Sequence, residues 1–180
     1  GKLEVTDADG STQVVEGKHI IIATGARSRQ LPNLVQDGKK IIGYREALTL
    51  PSLPKKMVVV GSGAIGSEFA YFYQTLGTEV TLVEYLPNIV PLEDEDVSKQ
   101  LGRSFKKIGM KVMTSSEVTN VDTAGEGCKV TIKTKKGEEV IDADVVLSAV
   151  GIAANIENIG LEDLGIATDK GKILVNDYYQ

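Results

Sequence analysis

The chain has no tryptophan, one cysteine and one histidine in 180 residues. A lone Cys128 excludes an internal disulfide and any multi-cysteine metal cluster. With His19 as the only imidazole, zinc is left without its usual ligand set, and no metal site is expected. Aromatic residues are scarce, six tyrosines and three phenylalanines. The longest uncharged apolar stretch, Val145 to Ile156, is too short to cross a bilayer, so no membrane span is expected. A basic excess is absent too: 20 Lys and Arg stand against 25 Asp and Glu, a net charge of −5. That balance, with no basic block, argues against nucleic acid and anionic membrane surfaces as partners.

What is present forms a core. Hydrophobic residues make up 42% and charged residues 25%, which excludes disorder, collagen and coiled coil. The length suits one domain, or one domain with fragments of a neighbour. The 19 glycines exceed the average of roughly 7%, so many backbone positions call for unusual dihedrals or close approach. The chain opens at Gly1 without methionine or a signal-like stretch. It stops at Asp177-Tyr178-Tyr179-Gln180, just past a strand-like Lys172–Val175. We therefore expect an excised piece of something longer.

Lys2–Thr6 and Thr12–Glu16 flank an Asp/Gly-rich turn and predict a hairpin. His19 to Ala23 reads as a buried strand ending at Thr24-Gly25-Ala26, and Arg27 to Lys40 as connection. A short helix is expected at Tyr44–Leu48, before Pro51 and Pro54 mark a linker. Lys56–Val60 is a continuous apolar strand of the kind buried on both faces of a parallel sheet. A helix follows to about Leu76, with Ile65, Phe69, Phe72 and Leu76 predicted on its buried face and Gly77 as its stop. Val80–Val83 forms the second strand. Asp94 to Lys107 predicts a second helix with Val97, Leu101, Phe105 and Ile108 inward, and Lys111–Met113 a third strand. This order is a mononucleotide-binding half of a doubly wound sheet. Val118–Thr123, Lys129–Thr134 and Glu138–Ile141 then predict an antiparallel meander, and Val145–Val150 another buried strand closed by Gly151.

Gly61-Ser62-Gly63-Ala64-Ile65-Gly66 matches the dinucleotide fingerprint. It follows a buried strand, opens a helix, and precedes an acid, Glu84, at the roughly 20-residue interval the motif carries. Gly61 makes the tight turn, Gly63 admits the pyrophosphate, and Gly66 lets helix and strand pack closely. The helix N-terminus offers free N–H groups and about half a positive charge to phosphates. A carboxylate at Glu84 accepts from the adenine ribose hydroxyls and repels a 2′-phosphate, by about 4 kcal/mol per unit charge at ~4 Å and an effective dielectric near 20. The expected cofactor is NAD. Glu68 reads as a dipole partner, and the Glu93–Asp96 run as the acidic start of a helix rather than a metal site. Cys128 and His19 lack catalytic partners, so no catalytic residue is assigned within the chain.

The pairing of Ile20–Ala26 with Val59–Glu68, continued by Val80–Glu84 and Ser148–Gly151, resembles the flavoprotein disulfide reductases. Glu84, with glycine at Gly66, makes the chain most similar to the NAD-using dihydrolipoamide dehydrogenase branch. The resemblance spans essentially all 180 residues. It implies a Rossmann-like three-layer α/β domain: a parallel sheet, helices on one side and an antiparallel β-meander, between flanking pieces of a flavin domain. Residues 37–156 would be the NAD-binding domain, and 1–36 with 157–180 the FAD-domain flanks. By motif, Gly61, Ser62, Gly63, Ala64, Ile65, Gly66, Ser67, Glu68 and Glu84 would hold NAD, with Val118 near the adenine and Gly151 near the nicotinamide. Glu68 would sit at the nicotinamide–flavin junction, Ala64 would replace a gating tyrosine, and Thr24, Gly25 and Ala26 would lie near FAD.

The longer protein would use NAD and FAD, with a redox-active Cys pair and a His–Glu pair supplied from outside these residues. It would be a cytoplasmic homodimer within a 2-oxoacid dehydrogenase complex, and this chain alone would be inactive. One departure stands: the family often reads Gly-Arg-x-Pro where this chain has Gly151-Ile152-Ala153-Ala154. An NADH oxidase, another dithiol reductase of the same build, or a non-catalytic NAD-binding module therefore stays open.

Overall fold

The structure, a computed structural model, describes all residues from Gly1 to Gln180. In chain order the elements are β1 (Lys2–Thr6), β2 (Thr12–Glu16), β3 (Ala26–Ser28), β4 (Ile41–Ile42), α1 (Tyr44–Ala47), β5 (Lys56–Val60) and α2 (Ala64–Thr75). There follow β6 (Glu79–Val83), α3 (Glu95–Lys107), β7 (Lys111–Met113), β8 (Glu117–Asp122), β9 (Cys128–Thr134) and β10 (Gly137–Ala143). The chain ends with β11 (Val145–Ser148), β12 (Ile152–Ala154), β13 (Thr168–Asp169) and β14 (Lys172–Ile173). Two compact units result, one of Gly1–Ala26 with Ala154–Gln180 and one of Arg27–Ala153.

The larger unit is built on a parallel sheet in the order β4-β11-β5-β6-β7. Its central strands are mostly apolar because both faces are covered, the exceptions being Lys56 and Glu79 at exposed strand starts and the buried hydroxyls of Thr81 and Ser148. Alternation along β5 shows the two layers directly. Met57 and Val59 pack with Ala70 and Tyr73 of α2 and Phe105 of α3. Val58 and Val60 point the other way, onto Val130 and Ile132 of the meander β8-β9-β10. Helices, parallel sheet and antiparallel meander thus form the three layers expected.

The buried helix faces differ from the sequence expectation. In α2 the buried positions are Gly66, Ser67, Ala70 and Tyr73, with Phe69 partly buried, whereas Phe72 and Leu76 are half exposed. Small residues face inward because the helix lies close against β5, where bulky ones would not fit. Tyr73 reaches further and donates its hydroxyl to the Ala47 carbonyl at 2.6 Å; burial raises its pKa above the usual tyrosine value. In α3 the inward residues are Ser98, Leu101 and Phe105, while Val97 and Ile108 are substantially exposed.

The smaller unit carries the β1–β2 hairpin in the expected register, Lys2 opposite Glu16, and the short β13–β14 pair. His19 to Ala23 is not a strand: it joins no ladder, and Ile21 is 90% exposed. An apolar run becomes a buried strand only when neighbouring backbone and a covering layer meet it, and within this chain nothing does.

Candidate functional site: a cleft at the ends of the parallel strands

After β5 the chain moves outward through β6 and β7, then returns to lay β11 on the other side of β5. The order therefore reverses between β5 and β11, and crevices for ligands open at the carboxyl ends of strands at such a point. A cleft of about 680 Å³ lies there. Gly61, Ser62, Gly63, Glu84, Val118 and Gly151 line it, all of them singled out from the sequence. Ala64 to Glu68 continue into α2 and are not among the lining residues. Thr24, Gly25 and Ala26 belong to the other unit.

Each glycine has a visible cause. Gly61 adopts φ +95°, and a Cβ there would meet the Ala149 carbonyl oxygen at 2.5 Å. A Cβ on Gly66 would fall onto the carbonyl of Gly61, so the first turn of α2 can press on the loop only without a side chain. Gly63 differs: its backbone is ordinary, and a Cβ would meet nothing within 4 Å. No steric demand of the fold explains this glycine.

The two long helices begin differently. Asp94 caps α3 by accepting from the Asp96 N–H at 2.8 Å, and Glu95 and Asp96 place negative charge in its first turn. Gly63 gives α2 no side-chain cap, and its first turn holds no acid. The first N–H groups of α2 therefore have neither a side-chain cap nor a first-turn acid of the helix's own. Glu68, the fifth helical residue, is exposed and lies beyond that turn.

Glu84 is buried at the end of β6 and anchors the loop. Its Oε2 accepts from the Ser62 N–H at 2.8 Å and the Ser62 hydroxyl at 2.7 Å; its Oε1 accepts from the Leu86 N–H at 2.8 Å. Ser62 is fully buried, and its carbonyl accepts from the Ser67 hydroxyl at 2.9 Å and the Val90 N–H at 3.0 Å. A carboxylate has about four acceptor sites; three are taken, which leaves one for a ligand.

Arg29, Asn33 and Tyr85 are among the lining residues that the sequence did not single out. Arg29 is the one cation on the cleft wall, and its N–H donates to the Gly151 carbonyl at 2.9 Å. Asn33 donates to the Val118 carbonyl at 2.6 Å. Nothing local to either residue marks it; only β-sheet order brings residues 29–33 beside 118 and 151. Cys128 is buried in β9, away from the cleft lining, and burial pushes its thiol pKa up against the opposing pull of Lys40. That is the behaviour of a packing residue, not of a nucleophile. No helix is long and apolar enough to cross a membrane, and no cluster of metal-ligating side chains is present.

Comparison with known proteins agrees with this geometry. Residues 1–180 match the pyridine nucleotide-disulphide oxidoreductase family. The chain is 45% identical over 175 residues to a dihydrolipoyl dehydrogenase from Zymomonas mobilis, covering 97% of this chain and 38% of the relative. It is 43% identical over 181 residues to a leghemoglobin reductase from Glycine max, covering 99% and 35%. Among solved structures, LpdA from Mycobacterium tuberculosis superposes with a TM-score of 0.84 at 34% identity, covering 97% of this chain and 37% of that one. The chain spans a little over a third of the length of these relatives. It belongs to the pyridine nucleotide-disulphide oxidoreductase family.

Proposed function

We propose that this chain supplies the NAD(H)-binding part of a dihydrolipoamide dehydrogenase. Residues 37–156 form the nucleotide domain in this reading, and residues 1–36 and 157–180, with Thr24–Ala26, belong to the flavin side. The observation that carries it is Gly63, a glycine without steric cause in the fold, beside an uncapped helix N-terminus and next to Ser62, which the buried Glu84 carboxylate holds 22 residues further on. Free N–H groups there suit a pyrophosphate. The remaining acceptor site of Glu84 suits a ribose hydroxyl, and its charge opposes a 2′-phosphate.

Bound NAD would supply the hydride acceptor of the reaction. This chain's residues bind and orient: Gly61 to Gly63 and α2 hold phosphate, Glu84 the ribose, Val118 the base and Gly151 the nicotinamide end. Glu68, further along α2, stands toward the flavin side in this reading. Arg29, the cation on the wall, adds charge opposite the pyrophosphate. The whole protein would oxidise dihydrolipoamide with NAD+ through FAD and a redox disulfide. With one buried cysteine here, that disulfide comes from other residues. A cytoplasmic homodimer serving a 2-oxoacid dehydrogenase complex completes the proposal.

The test is titration calorimetry of residues 1–180 with NADH and with NADPH. The expected result is saturable NADH binding with NADPH weaker by roughly tenfold or more. Equal or tighter NADPH binding overturns the NAD assignment. The activity itself is read as dihydrolipoamide-dependent NAD+ reduction by the full-length protein; NADH oxidation by O2 in its place would favour an oxidase.

A further inference from the structure

Asn33 sits in a tight turn whose geometry does not call for asparagine. Leu31 to Leu34 close the turn through the Leu34 N–H to Leu31 carbonyl bond at 2.9 Å, with Pro32 at the second position. Asn33, at the third, has no positive φ, so the turn is of the common type that accepts most residues there. Leu34 is buried in the core beneath the meander and fixes the turn in place. The side chain of Asn33 lies on the cleft wall instead, where its Nδ2 donates to the Val118 carbonyl at 2.6 Å.

That bond settles which end of the amide is which. Nδ2 has one hydrogen left, and Oδ1 keeps both acceptor sites; no other protein group bonds to either. Val118 is two residues past Ser116, whose N–H is bonded to the Glu84 carbonyl at 2.9 Å. A primary amide with a free donor hydrogen and a free acceptor oxygen thus lines the same cleft as Glu84, on the Val118 wall where the base would lie in this reading.

We propose that Asn33 is a specificity-determining residue that reads the amino edge of adenine. This rests on the dinucleotide reading given above. Adenine offers an amino donor next to a ring-nitrogen acceptor, and an asparagine amide pairs with both at once. In hypoxanthine an oxygen replaces the amino group and meets Oδ1, acceptor against acceptor.

The experiment compares NADH with nicotinamide hypoxanthine dinucleotide (reduced) on residues 1–180, as wild type, Asn33→Ala and Asn33→Leu, each checked by thermal melting. The wild type is expected to favour NADH by about fivefold or more, the low end of a bidentate pair at an exposed edge. Both variants should bring the ratio close to one. A merely structural role, through the clamp on Val118, would weaken both dinucleotides alike and keep the ratio; that result overturns the proposal. So does a wild type that binds both equally, an arm that needs no variant to fold. If wild type binds neither, the dinucleotide reading itself fails, a result distinct from binding without discrimination.

Discussion

Replacing Gly63 by alanine separates ligand binding from folding. Gly63 stands at φ −60° and ψ −179°, extended backbone that any residue adopts, and a Cβ there meets nothing within 4 Å. The folded chain should therefore accept the methyl with a stability change within about 0.5 kcal/mol. The methyl would occupy space above the first N–H groups of α2, which a pyrophosphate must approach. Holding the phosphate back loses or lengthens at least one hydrogen bond to a charged group, about 1.5–3 kcal/mol, or roughly a 10- to 100-fold weaker NADH complex. Gly66→Ala is the contrasting variant, because its Cβ collides with the Gly61 carbonyl, a backbone atom that cannot swing aside. It should lose about 1–3 kcal/mol or more of stability. Urea denaturation and NADH titration of the two variants check both halves. If Gly63→Ala binds NADH as tightly as the wild type, or unfolds as readily as Gly66→Ala, the assignment of that glycine to a ligand is wrong.

Two further predictions concern titrating groups. Burial raises the Cys128 pKa, so the native chain should not react with a thiol-specific disulfide reagent at pH 8 and should react fully in urea; rapid native labelling would refute its packing role. Since the folded thiol holds its proton more tightly than the unfolded one, that stabilisation is full below the ordinary thiol pKa and is lost as pH rises through the folded value. Cys128→Ala should flatten the alkaline fall in stability. Asp37 behaves oppositely. Burial alone would raise its pKa, but its Oδ1 accepts from the N–H groups of Lys39, Ile41 and Lys40 at 2.8, 3.0 and 2.8 Å, and the net shift is downward. Its contribution is present above the ordinary carboxylate pKa and is lost as pH falls through the lower folded value. Urea midpoints from pH 3 to 7 should show a shallower acid limb for Asp37→Asn, and identical limbs would refute the reasoning.

The strand–helix alternation was legible because its signals are local. Buried parallel strands are predominantly apolar runs, and Gly77 and Gly109, both at positive φ, stop helices where the periodicity ends. The faces of those helices were less legible. Counting large apolar side chains placed Phe72 and Leu76 inward, yet α2 approaches β5 so closely at Gly66 that small residues must face the sheet. Interhelix and helix–sheet distance is not written in hydrophobicity. Short β4 was missed for a related reason: a two-residue strand has no periodicity of its own and exists through its parallel pairing with β11, far along the chain.

The site divides along the same line. The glycines and Glu84 could be found because the turn, the helix start and the strand end are adjacent in sequence. Arg29 and Asn33 could not, since only the sheet order brings their loop to residues 118 and 151. The joining of the two kinds of residue is the structure's own contribution. Glu84 binds Ser62 through two hydrogen bonds and Leu86 through a third, so the glycine loop after β5 and the end of β6 form one hydrogen-bonded body. Such a body is organised before any ligand arrives, and little ordering cost is left for binding. It also makes Glu84 unlike an ordinary surface selector. Removing its carboxylate would strand the buried N–H and hydroxyl of Ser62, at about 1–3 kcal/mol each, and free the part-buried N–H of Leu86 at less cost. Under the proposed function, the choice between the two dinucleotides would therefore be coupled to the integrity of the loop that would hold their phosphates.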